Sequence, residues 1–293
     1  MTKILVTGGY GQLGTALKEV LKSEEALLTD TDTMDITDAS QVEKAFEGFK
    51  PEWLVHGAAL TNVDGCEENP ELAQSINSFG TEILAKACEN YHCKMIYIST
   101  DYVFDGKKKE PYFETDTPNP QSVYGKTKLE GEKKIQENSG GYILRTSWVY
   151  GEGNNFVRTM LRLSEKMEKI KVVNDQFGRP TYASDLARAI YDVIKKQPPA
   201  CRPREDGDPE NSVGIYNVTG DGSVISWADF ASEIFKIAGK KTIVIPISTG
   251  EYFKDNKDKK IAPRPAYSVL DLTKAKKAGL FLTTWQESLK KYL

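Results

Sequence analysis

The stretch KILVTGGYGQLG, residues 3–14, decides the fold of this 293-residue chain. It opens with a short apolar run from Lys3 to Thr7 and continues into glycines at positions 8, 9, 11 and 14. Apolar residues between Leu13 and Leu21 then recur at helical spacing. This order predicts a strand, a tight glycine turn and a helix.

The spacing of these glycines is typical of a turn that binds a dinucleotide. Without side chains, the turn can be tight, the backbone can approach a pyrophosphate, and the helix can pack closely on the strand. The helix N-terminus would present free N–H groups and a partial positive charge to the phosphates. A purely structural turn is the alternative. The cofactor contacts predicted from this turn are Gly8, Tyr10, Gly11, Gln12, Leu13 and Gly14.

Working outward, a second apolar strand at Ala26 to Leu28 leads to Asp30, about 20 residues beyond the glycines, where an acidic side chain would bind the ribose hydroxyls. Asp32 is close enough to compete for this role. The segment 29–40 contains no Lys or Arg that could balance a 2′-phosphate, which favours NADH over NADPH. An exposed acidic loop is the alternative. Further predicted cofactor contacts in this segment are Asp35 and Ile36, beside the adenine.

Two more apolar strands follow, at Trp53 to Ala59 and at Met95 to Ser99, with a helical stretch between them. Alternating strands and helices predict a doubly wound, Rossmann-like α/β fold with a parallel sheet. Ligands of such sheets bind beyond the carboxyl ends of the strands. We therefore expect Ala58, Ala59 and Thr100 to lie beside the glycine turn.

The second half of the chain continues the alternation and then departs from it. The proline-rich, charged segment from Gln197 to Ser212 reads as an exposed loop. We expect a dinucleotide-binding domain of residues 1–150, to which 182–220 return, and a smaller α/β cap of 151–181 and 221–293 that covers the substrate. The remaining predicted elements are strands at Tyr142–Thr146, Gly214–Val218 and Thr242–Pro246 and helices at Asn154–Lys166, Ser184–Lys195, Trp227–Ala238 and Thr284–Leu293.

The segment QSVYGKTK, residues 121–128, places Tyr124 and Lys128 four residues apart. In a helix this spacing puts both side chains on one face. A cation beside a phenol stabilises the phenolate and lowers its pKa toward the working range. Tyr124 could then donate a proton to a carbonyl oxygen. The alternative is an amphipathic helix with a buried aromatic ring and a solvated lysine.

Composition excludes several functions. The net charge of −3, from 39 basic and 42 acidic residues, provides no basic field for nucleic acid or anionic lipid. The sequence shows neither a secretory signal nor an apolar run of membrane-spanning length. Four cysteines without metal-ligand spacing and two histidines predict reduced thiols, no metal site and a cytoplasmic protein.

Several long motifs resemble one enzyme family. They are STDYVFDG (99–106), YGKTKLEGE (124–132), RTSWVYG (145–151) and the stretch from Val173 to Thr181. Together with the glycine turn they are similar to the dTDP-4-dehydrorhamnose reductases, within the extended short-chain dehydrogenase/reductase family. The likeness covers nearly the whole chain.

This resemblance implies an activity and a set of catalytic residues. The family reduces the C4 ketone of a dTDP-bound 6-deoxyhexulose with NADPH or NADH to give dTDP-L-rhamnose, a sugar donor for polysaccharide biosynthesis. Tyr124 would donate the proton, Lys128 would stabilise the phenolate and hold the nicotinamide ribose, and Thr100 would bind the ketone oxygen.

The expected substrate contacts lie near the same sheet edge. Asp64, Glu68 and the pair Asp101 and Tyr102 would bind sugar hydroxyls. Trp148 and Asn155 would contact the sugar or the base. Arg264 would grip the diphosphate in a bidentate manner. A core aromatic for Trp148 and a surface salt bridge for Arg264 are the alternatives.

Two rival functions share the scaffold. A sugar-nucleotide dehydratase would carry Asp-Glu after the threonine, where this chain has Asp101-Tyr102, and a 4-epimerase would retain its cofactor through the cycle. A regulatory subunit of methionine adenosyltransferase type would bind dinucleotide without catalysis. Some relatives form metal-bridged dimers through a glutamate near the first helix. Since Thr15 and Ala16 occupy that region, we expect no metal and a monomer or weak homodimer.

Overall fold

The computed structural model describes residues 1–138, 141–198, 213–254 and 260–293. A π-helical segment at Ser75–Gly80 and a 3-10 turn at Asp101–Val103 accompany the regular elements. The strands are β1 Lys3–Thr7, β2 Glu25–Thr29, β3 Trp53–His56, β4 Lys94–Thr100, β5 Gly141–Thr146, β6 Val149–Tyr150, β7 Lys169–Val173, β8 Phe177–Gly178, β9 Thr181–Tyr182, β10 Val213–Asn217, β11 Ile225–Ser226 and β12 Ile243–Ile247. The helices are α1 Gln12–Val20, α2 Ala39–Phe49, α3 Val63–Glu68, α4 Pro70–Gln74, α5 Thr81–Asn90, α6 Val123–Asn138, α7 Phe156–Ser164, α8 Ala183–Lys196, α9 Trp227–Ile237, α10 Thr249–Phe253, α11 Thr273–Lys277 and α12 Trp285–Tyr292.

The central sheet has six parallel strands in the order β10-β5-β4-β3-β1-β2. From β1 the chain first goes outward to β2 and then returns to β3 on the opposite side of β1. This reversal of strand order leaves a crevice beyond the carboxyl ends of β1 and β3, where ligands of such sheets bind. The predicted doubly wound, Rossmann-like fold is confirmed.

Helices cover both faces of this sheet. Successive side chains of a strand point to opposite faces, so Ile4 and Val6 pack with Leu17 of α1 on one side, whereas Leu5 packs with Phe46 of α2 on the other. The first face is completed by α8 and the second by α5 and α6. Burying each such side chain contributes about 1.5–3 kcal/mol, so the two layers hold the strand ends in fixed positions.

A separate apolar core lies in the C-terminal half. Strand β7 pairs in parallel with β12, and helices α7, α9 and α12 pack around Phe230 and Trp285. This cluster is distinct from the two sheet cores. We call this part the cap. The predicted boundaries of the two domains at residues 150, 181 and 220 stay a prediction.

Several strands and helices begin or end at other residues than the sequence predicts. The third strand ends at His56 rather than Ala59, because the Thr7 hydroxyl accepts a hydrogen bond from the Ala58 amide and the ladder stops there. Helix α7 starts at Phe156 because Asn155 caps it. Most of the predicted loop 197–212 lies outside the described residues. Within the described chain, no helix is long and apolar enough to span a membrane.

Candidate active site

The glycine turn between β1 and α1 has no room for side chains. Gly8 has a φ of +71°, and a Cβ there would lie 2.8 Å from the Ala58 amide nitrogen. A Cβ on Gly14 would lie 2.4 Å from the carbonyl oxygens of Gly8 and Gly9. Helix α1 begins after Gly11, and no side chain caps its first turn. The first-turn amides therefore face the crevice, as a phosphate requires.

A cavity of about 890 Å³ opens beside this turn, and we call it the reaction cavity. The strand ends of the central sheet form its floor. Two predicted cofactor contacts, the exposed Tyr10 and the tightly packed Gly14, do not line it. The predicted residues that line the reaction cavity are Gly8, Gly11, Gln12, Leu13, Asp30, Asp35, Ile36, Ala58, Ala59, Thr100, Asp101, Tyr102, Tyr124, Lys128 and Trp148.

Two acidic residues after β2 are held by hydrogen bonds to nearby residues. Asp30 Oδ2 accepts a hydrogen bond of 3.1 Å from the Tyr10 amide, which ties the end of β2 to the glycine turn. Asp35 Oδ1 accepts from the amide and the hydroxyl of Thr37. The cavity is large, is lined by residues from the ends of several parallel strands, and leaves no room for side chains at Gly8 and Gly14. These residues fit a dinucleotide.

The three predicted catalytic residues meet in the reaction cavity. Thr100 ends β4, and its hydroxyl lies 3.0 Å from Asp101 Oδ1. Tyr124 and Lys128 come from one face of α6, and the Tyr124 ring packs edge-on against Tyr102 at 5.5 Å. A Cβ on Gly125 would lie 2.2 Å from the Tyr102 carbonyl oxygen. Gly125 therefore lets α6 approach the end of β4, a role that the sequence analysis missed.

Burial controls the acidity of Tyr124. It raises the pKa of the phenol well above its usual range, while a hydrogen bond with Thr100 opposes the shift. The expected lowering of this pKa by Lys128 is not found: desolvation of the phenolate dominates, and Asp101 raises the pKa further. Tyr124 therefore keeps its proton at neutral pH, as a proton donor must.

Lys128 is buried in the same wall. Its ammonium lies 4.0 Å from the centroid of the Tyr97 ring, and the residue is 2% exposed. Burial lowers the pKa of Lys128 to about 7, and the negative charge of Glu132 opposes that shift. Glu132 also forms a buried bidentate ion pair with Arg145, at 2.9 and 2.7 Å. The ammonium of Lys128 is thus poised to change charge near neutral pH.

Asp101 lies at the bottom of the reaction cavity. Burial raises the pKa of its carboxyl to about 6, while hydrogen bonds from Ser268 and Thr100 oppose the shift. Tyr102, the next residue, also has its pKa raised above the usual range by burial. At neutral pH, therefore, Tyr102 is a protonated phenol.

A chain of buried side chains holds the catalytic helix. The Asn77 amide, within the π-helical segment, bonds both backbone groups of Leu60 and donates to Thr127 at 3.1 Å. The Thr127 hydroxyl donates in turn to the carbonyl oxygen of Tyr124 at 3.0 Å. Sequence reasoning missed Asn77, because an asparagine inside a helical pattern carries no signal of its tertiary partners.

A second cavity of about 450 Å³ lies between the sheet edge and the cap, and we call it the cap cavity. Asp64, Glu68, Tyr102 and Arg264 line it, as predicted substrate residues. Tyr102 and Trp227 line both cavities. The sequence analysis did not single out the other residues that line the cap cavity, among them Phe156, Lys171, Trp227, Tyr252, Phe253 and Lys260.

Arg264 forms part of the cap cavity wall. Its guanidinium binds Asp64 through two hydrogen bonds of 3.0 and 2.7 Å and lies 5.0 Å from the centroid of the Phe253 ring. Its Nη1 also donates to the Ala262 carbonyl oxygen at 2.9 Å, so the fork is already bound by Asp64, as in the salt-bridge alternative. Because the Asp64 side chain is 38% exposed, an anion in the cap cavity could share or replace this partner.

Asn155 has a different environment. Its side chain caps α7 by accepting from the Arg158 amide at 3.0 Å. Its amide nitrogen donates to the carbonyl oxygens of Gly151 and Gly153 and to the Tyr292 hydroxyl. Asn155 lines neither cavity. In this structure its polar atoms are engaged in the cap and are not presented to a ligand.

Trp148 has a left-handed backbone, with a φ of +49°. For a bulky residue such a conformation costs about 1–3 kcal/mol and persists only where the surroundings enforce it. Its ring stacks on Trp227 with centroids 3.6 Å apart and planes 11° apart. Trp148 is thus a half-buried ring that packs against the cap core and also lines the reaction cavity.

The described residues contain no group of three or more His, Cys, Asp or Glu side chains that could hold a metal ion. Cys66, Cys88 and Cys93 are buried and unbridged. Besides the catalytic hydroxyl, phenol and ammonium, the reaction cavity is lined by the Asp101 carboxyl and the Tyr102 phenol.

Comparisons with known proteins agree with this geometry. The family model described as the RmlD substrate binding domain matches residues 1–293. The dTDP-4-dehydrorhamnose reductase of Aggregatibacter actinomycetemcomitans is 39% identical, over 99% of this chain and 98% of that protein.

Two solved structures are similar over their whole length. The crystal structure of a dTDP-4-dehydrorhamnose reductase from Clostridium acetobutylicum has a TM-score of 0.88 and 42% identity, covering 99% of this chain and 98% of that chain. The structure of dTDP-4-dehydrorhamnose reductase from Bacillus anthracis in complex with NADP has a TM-score of 0.88 and 36% identity, covering 100% and 98%. The chain belongs to the RmlD substrate binding domain family, and its predicted resemblance to the dTDP-4-dehydrorhamnose reductases is confirmed.

Proposed function

We propose that this protein reduces the C4 ketone of dTDP-4-dehydrorhamnose to give dTDP-L-rhamnose, with NADH or NADPH as the hydride donor. The observation that carries the proposal is the meeting of Thr100, Tyr124 and Lys128 in one cavity with the glycine turn. Relatives that are similar over nearly the full chain carry the same enzyme name.

Three side chains perform the protein's part of the reaction. When bound, the reduced nicotinamide supplies the hydride that C4 accepts. The Tyr124 hydroxyl gives its proton to the ketone oxygen, which becomes the new C4 hydroxyl. The Thr100 hydroxyl, whose proton goes to Asp101 Oδ1 in this structure, would turn that proton to the ketone oxygen and stabilise the charge that develops on it. Lys128 stabilises the phenolate left on Tyr124 and holds the nicotinamide ribose.

The dinucleotide lies along the strand ends in this proposal. The amides of the glycine turn receive the pyrophosphate, Asp30 binds the adenine ribose hydroxyls, and Asp35 and Ile36 flank the adenine. Among the described residues that line the reaction cavity, Lys128 is the one basic side chain. Since none of the described residues that line this cavity brings a basic group beside Asp30 to balance a 2′-phosphate, we expect NADH to be preferred to NADPH.

The cap cavity takes the nucleotide end of the substrate. Arg264 binds the diphosphate, with Lys171 and Lys260 adding positive charge around it. The aromatic side chains of this cavity, such as Tyr252, offer flat faces on which a base can stack. The sugar then reaches through to Tyr124, with Asp101 and Trp148 beside it. The cap is thus the substrate-binding domain.

The residues favour reduction over dehydration or epimerisation. A dehydratase needs a carboxylate where this chain has Tyr102, whose raised pKa keeps its phenol protonated and unable to act as a base. A non-catalytic regulatory role, as in a methionine adenosyltransferase subunit, is distinguished by turnover, because such a protein can keep the same catalytic residues. We also propose that the protein is a monomer or weak homodimer that binds no nucleic acid.

The test is a turnover assay on the purified chain. dTDP-4-dehydrorhamnose is added, and the loss of NADH or NADPH absorbance is followed in separate reactions. We expect turnover with both and a higher kcat/KM with NADH. Absence of turnover with both NADH and NADPH would contradict the proposal. NAD retained through purification would support an epimerase, and a stoichiometric synthetase in a pull-down would support the regulatory role.

A further inference from the structure

Tyr102 and Trp227 form a neck between the two cavities. Both residues line the reaction cavity and the cap cavity. Tyr102 follows the end of β4 and packs edge-on against Tyr124. Trp227 is the first residue of α9, on the cap side. A ligand that fills both cavities must therefore pass between a side chain of the sheet domain and a side chain of the cap.

The start of α9 is rigid, so Trp227 has a fixed position. The Ser226 hydroxyl accepts from the Asp229 amide, and the Asp229 carboxylate accepts from the Ser226 amide and hydroxyl. This reciprocal capping fixes the first turn of the helix. The Trp227 ring is also packed at 4.6 Å against Phe156 of α7.

From this fixed position Trp227 holds Trp148. The two indoles stack face to face at 3.6 Å. Trp148 also packs against β8, since a Cβ on Gly178 would lie 2.7 Å from its ring. Strand β8 pairs with β11, which leads directly into Trp227. The Trp148 ring is thus held between β8 and Trp227, two parts of the cap that the β8–β11 pairing joins.

We propose that Trp227 is a specificity-determining residue, which closes the neck around a nucleoside-diphosphate sugar and positions Trp148 as the wall against which the sugar rests. This inference rests on the proposed function and deepens it. A nucleoside diphosphate with its sugar is long enough to occupy both cavities. Binding of the nucleotide in the cap cavity then sets the position of the sugar in the reaction cavity. A sugar phosphate without the nucleotide leaves the cap cavity empty and gains nothing from the neck.

The first experiment compares Trp227→Leu and Trp227→Phe with Trp285→Phe. Trp285 is a matched control, because it is also an indole of the cap core, buried against Phe230, and lines neither cavity. We expect Trp227→Leu to raise the KM for dTDP-4-dehydrorhamnose about tenfold or more while the Kd for NADH stays within about twofold. Trp227→Phe keeps a stacking ring, so its KM should rise only about threefold.

The control variant should lower the melting temperature and leave the KM unchanged. A folded Trp227→Leu protein with wild-type KM would overturn the proposal. If Trp227→Leu does not fold, Trp227→Phe decides: an unchanged KM in that variant overturns the proposal, and a raised KM with unchanged NADH binding supports it.

The second experiment is a double-mutant cycle. Because part of the effect of Trp227 passes through Trp148, Trp227→Leu should raise KM by a smaller factor in a Trp148→Ala background than in the wild-type protein. Fully additive losses would overturn the positioning role. Calorimetry with dTDP-rhamnose separates this proposal from the proposed function. If the wild-type protein shows no turnover, the proposed function is refuted. If wild type and Trp227→Leu bind dTDP-rhamnose with equal Kd values, the proposed role of Trp227 in the neck is refuted.

Discussion

The two cavities of this protein are built in different ways. The reaction cavity is formed by the ends of parallel strands and the helices that follow them, so its side chains are placed by the sheet itself. The cap cavity is formed by elements far apart in the chain, from Asp64 to Arg264. The first arrangement gives fixed positions for chemistry. The second depends on contacts between segments that are distant in the chain.

The charged groups of the two cavities also differ in burial. Lys128 and Asp101 are almost fully buried in the reaction cavity, and burial shifts both pKa values toward neutrality. In the cap cavity, Arg264 is paired with a partly exposed Asp64. Groups with pKa values near neutrality are suited to proton transfer, and permanently charged ones to binding. We therefore expect substitutions in the reaction cavity to lower kcat and substitutions in the cap cavity to raise KM.

The largest effect is expected for Tyr124→Phe in the reaction cavity. The change removes the proton donor and leaves the ring packed on Tyr102, so kcat should fall about 10²- to 10⁴-fold. NADH binding, measured by fluorescence titration, should be retained. Tyr142→Phe is the matched control, since that buried tyrosine donates to the Pro198 carbonyl at the opposite end of β5. Near-normal turnover by Tyr124→Phe would refute the mechanism. It would also refute the assignment of chemistry to the reaction cavity and of substrate binding to the cap cavity.

The parts predicted from the sequence lie mostly on the reaction-cavity side. Apolar strands ending in glycine or threonine, with helices between them, fix a parallel sheet, and a parallel sheet brings its carboxyl ends together. For this reason the placement of Ala58 and Thr100 beside the glycine turn followed from order alone, whereas the placement of Tyr124 beside them rested on the family resemblance. The pKa of Tyr124 did not follow, because sequence spacing gives the neighbouring charge but not the extent of burial.

The parts that could not be predicted depend on tertiary contacts. Trp227 opens an amphipathic helix, and its sequence neighbourhood gives no sign that it meets Trp148 across the cap. Lys171 and Lys260 come from segments without any motif. Asn77 acts through partners up to 50 residues away in the chain. Such positions are set by packing between elements, which local patterns do not encode.

The pH profile of kcat/KM is the second test of the reaction cavity. Burial depresses the pKa of Lys128 to about 7, so in the free enzyme the ammonium is present below that pH and lost above it. Because the charged form stabilises the phenolate, kcat/KM should fall about tenfold per pH unit above pH 7. Lys128→Arg, which stays charged, should lose this descending limb up to pH 9 although its activity is lower. A descending limb retained in Lys128→Arg would assign the ionisation to another group.

A smaller effect is expected in the cap cavity. Arg264→Ala removes the bidentate donor and should raise the KM for the dTDP-sugar about 10- to 100-fold, with kcat changed less than threefold. Arg264→Lys keeps the charge but not the fork, so an intermediate KM is expected. The measurement is initial-rate kinetics with NADH saturating. A fall in kcat with unchanged KM would place Arg264 in the chemistry and remove the contrast between the cavities.

The smallest effect on activity is expected for Asn155, a predicted substrate contact that lies outside both cavities. Its side chain caps α7 and bonds two backbone carbonyls and Tyr292, so Asn155→Ala should lower the free energy of unfolding by about 2 kcal/mol. The KM should change less than about threefold. Asn155→Asp is the matched variant, because it keeps the acceptor for the Arg158 amide and loses the donations. A stability between those of wild type and Asn155→Ala, measured by urea denaturation, would show that capping and donation both contribute. A large rise in KM at normal stability would instead return Asn155 to the substrate site.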